Sequence, residues 1–163
     1  MREKIQPLAA LVAVADRMRA AGQRLVFTNG VFDLLHAGHV RYLEAARAEG
    51  DALVVGVNSD RSVRALGKGP GRPIVEERYR AEVVAGLGCV DFVVLFDEPD
   101  PGAVIAALRP AVLVKGADWP LERIVGRETV EAAGGRVVRI PLLEGLSTSA
   151  LIARILERCG PRP

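Results

Sequence analysis

The chain has 163 residues, half of them hydrophobic and 26% charged, which is typical of a globular protein with one substantial core. Its 22 basic and 20 acidic residues leave a formal charge of +2, which argues against a nucleic-acid-binding or membrane-surface protein. The two cysteines, Cys89 and Cys159, fit no metal-ligand or disulfide spacing. No apolar run approaches the ~18 residues of a membrane span. We therefore expect a cytoplasmic protein with one domain over residues 1–163.

The first predicted element is a helix at about residues 7–21, where Pro7 suits the first turn. Beyond it, short valine-rich segments that predict strands alternate with periodic segments that predict helices. The predicted strands are 24–28, 52–58, 91–96, 112–115 and 136–141. The predicted helices are 39–49, 76–87, 101–108, 121–133 and 148–158. Residues 160–163 are expected to form a loose tail.

This alternation predicts an α/β fold, specifically a Rossmann-like, doubly wound and mostly parallel five-stranded sheet with helices on both faces. In such sheets ligands bind outside the carboxyl ends of the strands, where the strand order reverses. Polar and glycine-rich segments follow four of the five predicted strands. These segments are 28–39, 58–60, 115–119 and 144–149. The sequence therefore predicts that one edge of the sheet carries the chemistry.

The junction between the first strand and the next helix contains the only two histidines of the chain, His36 and His39. Gly30 and Gly38 permit close approach of the backbone to a ligand, and Asp33 lies in the same loop. A helix N-terminus attracts phosphate through its unpaired N–H groups and its positive dipole end, and two imidazoles add further donors. The pattern predicts nucleotidyl transfer. Zinc binding is the alternative use of two histidines, but it would need a third or fourth ligand.

Other segments also favour a phosphate and sugar site. Residues 67–73 form a glycine-rich basic loop, in which Lys68 is predicted to cover a triphosphate. Ser147 precedes the last predicted helix, where a capping hydroxyl and a free helix terminus would form a second phosphate cradle. Asp118 suits sugar hydroxyls. Trp119, the only tryptophan, is either a core residue or the wall of a sugar or base pocket.

Residues 28–39 resemble the HxGH signature of the nucleotidyltransferase superfamily, which includes cytidylyltransferases and pantetheine-phosphate adenylyltransferases. More narrowly, the chain is similar to the adenylyltransferases that act on D-glycero-β-D-manno-heptose 1-phosphate in lipopolysaccharide-core precursor synthesis. The similarity runs from about residue 4 to residue 155. The segments that carry it, besides the signature, are 57–60, 72–73, 80–81, 90–91, 114–118 and 144–148.

This resemblance implies transfer of AMP from ATP to the sugar 1-phosphate, with Mg²⁺ carried by ATP rather than held by the protein. It implies His36, His39 and Lys68 as catalytic residues. The implied nucleotide-binding residues are Thr28, Asn29, Gly30, Phe32, Gly38, Lys115, Gly116, Ser147 and Thr148. The implied substrate- or phosphate-binding residues are Asp33, Asn58, Arg80, Asp118 and Trp119.

The same resemblance implies ATP and a sugar phosphate as partners, a homodimer and a separate sugar kinase upstream. The charge balance and the lack of a long apolar run predict no nucleic-acid or membrane partner. Three alternatives stay open. One is a cytidylyltransferase for glycerol 3-phosphate or a similar alcohol phosphate, although such enzymes carry an arginine-threonine pair where this chain has Leu142 and Leu143. Another is an adenylyltransferase for pantetheine phosphate or a riboflavin derivative. The third, from another class, is a non-catalytic nucleotide-binding module.

Overall fold

The computed structural model describes residues 1–67, 69 and 71–159, and its centre is a five-stranded sheet in which every pairing is parallel. The strands are β1 (Leu25–Gly30), β2 (Ala52–Asn58), β3 (Phe92–Phe96), β4 (Val112–Gly116) and β5 (Arg136–Ile140). The helices are α1 (Leu8–Ala20), α2 (Ala37–Ala48), α3 (Asp60–Ala65), α4 (Glu77–Ala85), α5 (Gly102–Leu108), α6 (Arg127–Ala132) and α7 (Thr148–Cys159). The predicted Rossmann-like α/β fold is confirmed.

The strands lie in the order β3-β2-β1-β4-β5, so the direction of winding reverses beside β1. The chain first builds outward from β1 through β2 to β3, and then returns to place β4 on the other side of β1. In register, Val26 of β1 lies between Leu53 of β2 and Val112 of β4. The crevice of a doubly wound sheet opens at such a reversal, above the carboxyl ends of the strands.

Successive strand residues point to opposite faces of the sheet and build two separate apolar cores. On one face, Val26 and Leu53 pack with residues of α2 and α4. On the other face, Phe27 and Val54 pack with residues of α1 and α5. Strand β2 is buried at every position, which explains why its sequence is apolar without alternation.

The predicted helix over 121–133 is wrong as a single element. The structure has a 3₁₀ turn at Leu121–Arg123 and the short helix α6, with Gly126 between them at a φ of 85°. A regular right-handed helix cannot pass through a left-handed residue, and only glycine adopts this conformation without cost. A Cβ at Gly126 would also lie 2.6 Å from Cδ1 of Ile105. Close packing against α5 therefore interrupts the helix.

Helix α3 was not predicted. It begins at Asp60 after Ser59, whose Oγ accepts a hydrogen bond from the N–H of Ser62 at 3.1 Å.

Every residue of α7 is at least partly exposed, including Ile155 and Leu156. The predicted tail at 160–163 lies outside the described residues. Within the described ranges, no helix is long and apolar enough to cross a membrane.

Candidate active site

A cavity of about 580 Å³ opens over the carboxyl ends of β1 and β4. Asn29 and Gly30 from β1 and Lys115 and Gly116 from β4 contribute to its lining. This is the point at which the strand order reverses, as expected for a ligand site in a doubly wound sheet. The volume falls in the range of roughly 300–1,000 Å³ that is usual for small-molecule sites.

Most of the predicted site residues line this cavity, although they are far apart in the sequence. They are Asn29, Gly30, Phe32, His36, Gly38, His39, Asn58, Lys115, Gly116, Asp118, Trp119, Ser147 and Thr148. Segments that follow β1, β2, β4 and β5 therefore meet at one edge of the sheet, as the sequence predicted.

Three predicted site residues lie beneath the cavity and are not part of its lining. Thr28 is buried in β1, with its Oγ1 2.8 Å from the hydroxyl of Tyr42. The side chains of Asp33 and Arg80 have no exposed surface, and each is engaged by other groups of the chain. The expected direct contacts of these residues with nucleotide or substrate therefore do not hold in this structure. Lys68 lies outside the described residues, so its role stays a prediction.

His36 and His39 are stacked at the N-terminus of α2. Their ring centroids are 3.8 Å apart and their planes differ by 24°. The backbone N–H of His36 donates to Nδ1 of His39 at 3.4 Å, which places the proton of a neutral His39 on Nε2 and leaves that N–H as a donor. Nδ1 of His36 is buried and has no hydrogen-bond partner among the described residues. Unpaired buried polar atoms are rare in native structures, and a catalytic role is one of the reasons for which they occur.

Gly30 and Gly38 make room for aromatic rings of the chain itself. A Cβ at Gly38 would lie 3.0 Å from Nδ1 of His36, and a Cβ at Gly30 would lie 3.0 Å from Cε2 of Phe32. The sequence predicted close approach of the backbone at both glycines. The groups that approach in this structure are the His36 ring at Gly38 and the Phe32 ring at Gly30.

Burial changes the protonation of the cavity's basic groups. It lowers the pKa of His39 to about 4, with a smaller contribution from the neighbouring His36, and it also lowers the pKa of His36. Burial lowers the pKa of Lys115 to about 8, and the nearby Asp100 carboxylate opposes this effect in part. The ammonium of Lys115 donates to Oδ1 of Asn29. At pH 7 the imidazoles of His36 and His39 are therefore neutral, and the ammonium of Lys115 is largely charged.

The lowered pKa of His39 predicts a pH-dependent stability. Unfolded His39 binds a proton near pH 6.5, whereas folded His39 does so only near pH 4. The unfolded state therefore binds more protons between these values, and the free energy of unfolding should decrease as the pH falls through this window. Urea unfolding at several pH values across it should show a smaller decrease for His39→Gln than for the wild type. The same decrease in both proteins would contradict a buried, neutral His39.

A second helix N-terminus faces the cavity beside that of α2. The N–H of Ala150 donates to Oγ of Ser147 at 3.0 Å, so the predicted cap of α7 is confirmed. The hydroxyl of Thr148 donates to the carbonyl of Leu34 at 3.3 Å. This bond ties α7 to the histidine loop, which is the segment 31–36 between β1 and α2. Because both Ser147 and Thr148 line the cavity, the positive end of the α7 dipole points toward the same space as the histidine pair.

Sequence reasoning missed part of the cavity wall. Pro99, Asp100 and Pro101 line it in the segment between β3 and α5, and Arg123 lines it from the 3₁₀ turn. Pro99, Asp100 and Pro101 could have been predicted from the sequence. They follow the predicted strand 91–96, to which no polar segment was assigned, and the rule on strand ends applies to it as well. Arg123 could not have been predicted, since its position depends on how the segment between β4 and α6 folds back.

Comparisons with known proteins agree with this geometry. A family model described as cytidylyltransferase-like matches residues 27–154. The chain is 55% identical over 152 residues to the bifunctional protein HldE of Geotalea uraniireducens, covering 93% of this chain and 31% of that protein. It is 50% identical over 157 residues to HldE of Geobacter sulfurreducens, covering 96% and 32%. The chain thus spans about a third of the length of these curated relatives.

Solved structures show the same relationship. The lipopolysaccharide core biosynthesis protein from Thermoplasma volcanium matches with a TM-score of 0.65 and 31% identity, covering 76% of this chain and 100% of that chain. Pantoate-beta-alanine ligase from Francisella tularensis, with beta-gamma ATP and beta-alanine bound, matches with a TM-score of 0.56. The match covers 94% of this chain and 79% of the ligase chain. Because the two sequences are only 12% identical, the match shows a shared fold and nothing more.

The chain belongs to the cytidylyltransferase-like family of nucleotidyltransferases. The resemblance seen in residues 28–39 is therefore confirmed, and membership of this family implies a nucleoside triphosphate as one substrate.

Proposed function

We propose that this chain transfers AMP from ATP to D-glycero-β-D-manno-heptose 1-phosphate, giving ADP-heptose and pyrophosphate. The single observation that carries the proposal is the stacked pair of His36 and His39 at a helix N-terminus inside the cavity. The identity with HldE proteins and with a lipopolysaccharide core biosynthesis protein supports the heptose acceptor.

The reaction is an in-line displacement at the α-phosphorus of ATP. An oxygen of the acceptor phosphate forms a bond to this phosphorus, the bond to the oxygen that bridges the α- and β-phosphates breaks, and pyrophosphate leaves with the bonding electrons. A phosphate monoester has a second pKa near 6, so the acceptor is largely a dianion at neutral pH and needs no general base. Catalysis then depends on positioning and on stabilisation of the developing charge.

The cavity offers donors for each part of the triphosphate. His36 and His39 donate to oxygens of the α-phosphate as charge develops in the transition state. The Ser147 hydroxyl, the backbone N–H of Thr148 and the N-terminus of α7 hold the departing β- and γ-phosphates. Lys115 adds a fixed positive charge beside Asn29.

We propose that Mg²⁺ enters on the triphosphate. The described residues contain no group of three or more His, Cys, Asp or Glu side chains that could hold a metal ion. This arrangement suits Mg²⁺, which keeps several waters and is often bound through substrate phosphates with few protein ligands. When bound, the ion would neutralise charge on the triphosphate. Lys68 is proposed to assist on the same phosphates.

The acceptor is proposed to lie toward the mouth of the cavity. Trp119 lines this region with 51% of its surface exposed and can stack on a sugar ring, while the Asp118 carboxylate can accept hydrogen bonds from sugar hydroxyls. Asn58 is held by a hydrogen bond to Oγ of Ser62 at 2.9 Å and also lines the cavity. We further propose that a sugar kinase activity forms the acceptor and that the protein acts as a homodimer.

A pyrophosphate-release assay tests this function. A panel of sugar 1-phosphates and glycerol 3-phosphate should be combined with ATP, CTP, GTP or UTP, with His39→Ala as the background control. We expect the highest kcat/KM with ATP and the heptose 1-phosphate. Preferred use of CTP with glycerol 3-phosphate would replace the proposal by an alcohol-phosphate cytidylyltransferase. Tight ATP binding without pyrophosphate release on any acceptor would indicate a non-catalytic module.

A further inference from the structure

A buried polar network lies beneath the histidine pair. We propose that Asp33 and Arg80 are positioning residues that hold the backbone on both sides of Phe32, so that its ring fixes the orientation of the His39 imidazole. The expected effect on turnover rests on the proposed function, whereas the expected effect on the imidazole does not.

Asp33 ties the histidine loop to the segment that precedes α4. Its carboxylate accepts hydrogen bonds from Nε of Arg72 at 2.5 Å and from the backbone N–H groups of Ile74 and Val75, each at 2.9 Å. The side chain has no exposed surface. A buried carboxylate is tolerated only when it is paired and hydrogen-bonded in this way, so three donors hold its position.

Arg80 joins the same two segments to the start of α3. Its Nη1 donates to the carbonyl of Val31 at 2.6 Å, its Nε to the carbonyl of Val75 at 2.8 Å, and its Nη2 to Oδ1 of Asp60 at 2.8 Å. The guanidinium has no exposed surface. Only the planar fork of an arginine can reach three acceptors in these fixed directions.

Phe32 lies between the two residues that this network holds, and it has a φ of 50°. This left-handed conformation is unfavourable for a bulky residue and persists only where the surroundings impose it. Hydrogen bonds to the carbonyl of Val31 and to the side chain of Asp33 impose it here. The strained backbone directs the Phe32 ring over Gly30.

The Phe32 ring in turn contacts His39. The two ring centroids are 5.3 Å apart at an interplanar angle of 60°, an edge-to-face arrangement. His36 stacks against His39 at the same time. The His39 imidazole is thus held between two rings, with its Nδ1 fixed by the N–H of His36. Loss of the Phe32 contact should let the imidazole rotate and admit water.

Nuclear magnetic resonance titration of the imidazole Cε1–H protons tests the proposal directly, because the chain contains only two histidines. The His36→Gln variant assigns the two signals. In Phe32→Leu and in Asp33→Asn, we expect the pKa of His39 to rise from about 4 toward 6.5. We expect kcat to fall by about 10- to 100-fold, because misplacement of a catalytic group by about 1 Å has effects of this size. KM for ATP should change by less than about threefold, since the lost interaction acts in the transition state.

Arg47→Gln is the matched control. It breaks the ion pair between Arg47 and Asp91, which are 2.8 Å apart and each 35% exposed, away from the cavity lining. This variant should leave both the His39 titration and kcat unchanged. An unchanged His39 titration and kcat in folded Phe32→Leu would overturn the proposal, even where Asp33→Asn fails to fold. If the wild-type protein has no transferase activity but the pKa of His39 still rises in these variants, the positioning is supported and the proposed function is rejected.

Discussion

Replacement of His39 by alanine should lower kcat by about 10²–10³-fold, which is the usual effect of removing one preorganised donor to a developing negative charge. The physical reason is that the Nε2–H of His39 is held in the cavity by two neighbouring rings and by the N–H of His36. Steady-state pyrophosphate release measures the loss. Circular dichroism should show a folded protein, because His39 lies in the first turn of α2 and belongs to neither apolar core.

His39→Gln provides the control for this prediction, since an amide retains one N–H donor of similar reach. It should lose less activity than the alanine variant, with KM for ATP nearly the same in both. Wild-type turnover in the alanine variant would refute the role assigned to His39.

Replacement of Arg80 by methionine should lower the free energy of unfolding by about 3–5 kcal/mol, the usual cost of removing one partner from a buried ion pair. Methionine retains the apolar stem but leaves the carbonyls of Val31 and Val75 without these donors and Asp60 without its cation. Urea unfolding, monitored by circular dichroism, measures this change. Because the same bonds hold the backbone beside Phe32, kcat should fall in the folded fraction as well.

Arg78→Met is a matched control on the same helix, two residues earlier. The Arg78 side chain is 65% exposed and its Nε lies 3.0 Å from the Glu76 carboxylate, so loss of this pair should cost less than about 1 kcal/mol. A similar loss of stability in the Arg78 and Arg80 variants would contradict the buried network.

Residues with a local signature were located correctly from the sequence. The apolar runs of β1 and β2 predicted buried parallel strands, because a strand that is covered on both faces needs no alternation. Ser147 was recognised as a cap from its position before an amphipathic segment. The histidine pair was placed at the junction of β1 and α2, because the apolar strand before it and the helical periodicity after it are both properties of neighbouring residues.

Residues whose neighbours are distant in sequence were misjudged. Arg80 was expected to bind substrate or phosphate, yet its partners Val31 and Asp60 belong to other parts of the fold. Asp33 looked like part of the ligand-binding loop, yet it is covered by Arg72 and the following backbone. Nothing in the local pattern distinguishes a buried, paired charge from one that faces a ligand.

The sequence by itself determined the class of fold, the sheet edge that carries the chemistry and the two imidazoles at its centre. These depend on periodicity, on turn residues and on the rule that parallel strands end on one side. The tertiary structure alone decided which charged groups reach the cavity, where Gly126 interrupts the helical segment and how Phe32 holds His39. Those outcomes depend on the packing of segments that are distant in the chain, and such packing has no local sequence pattern.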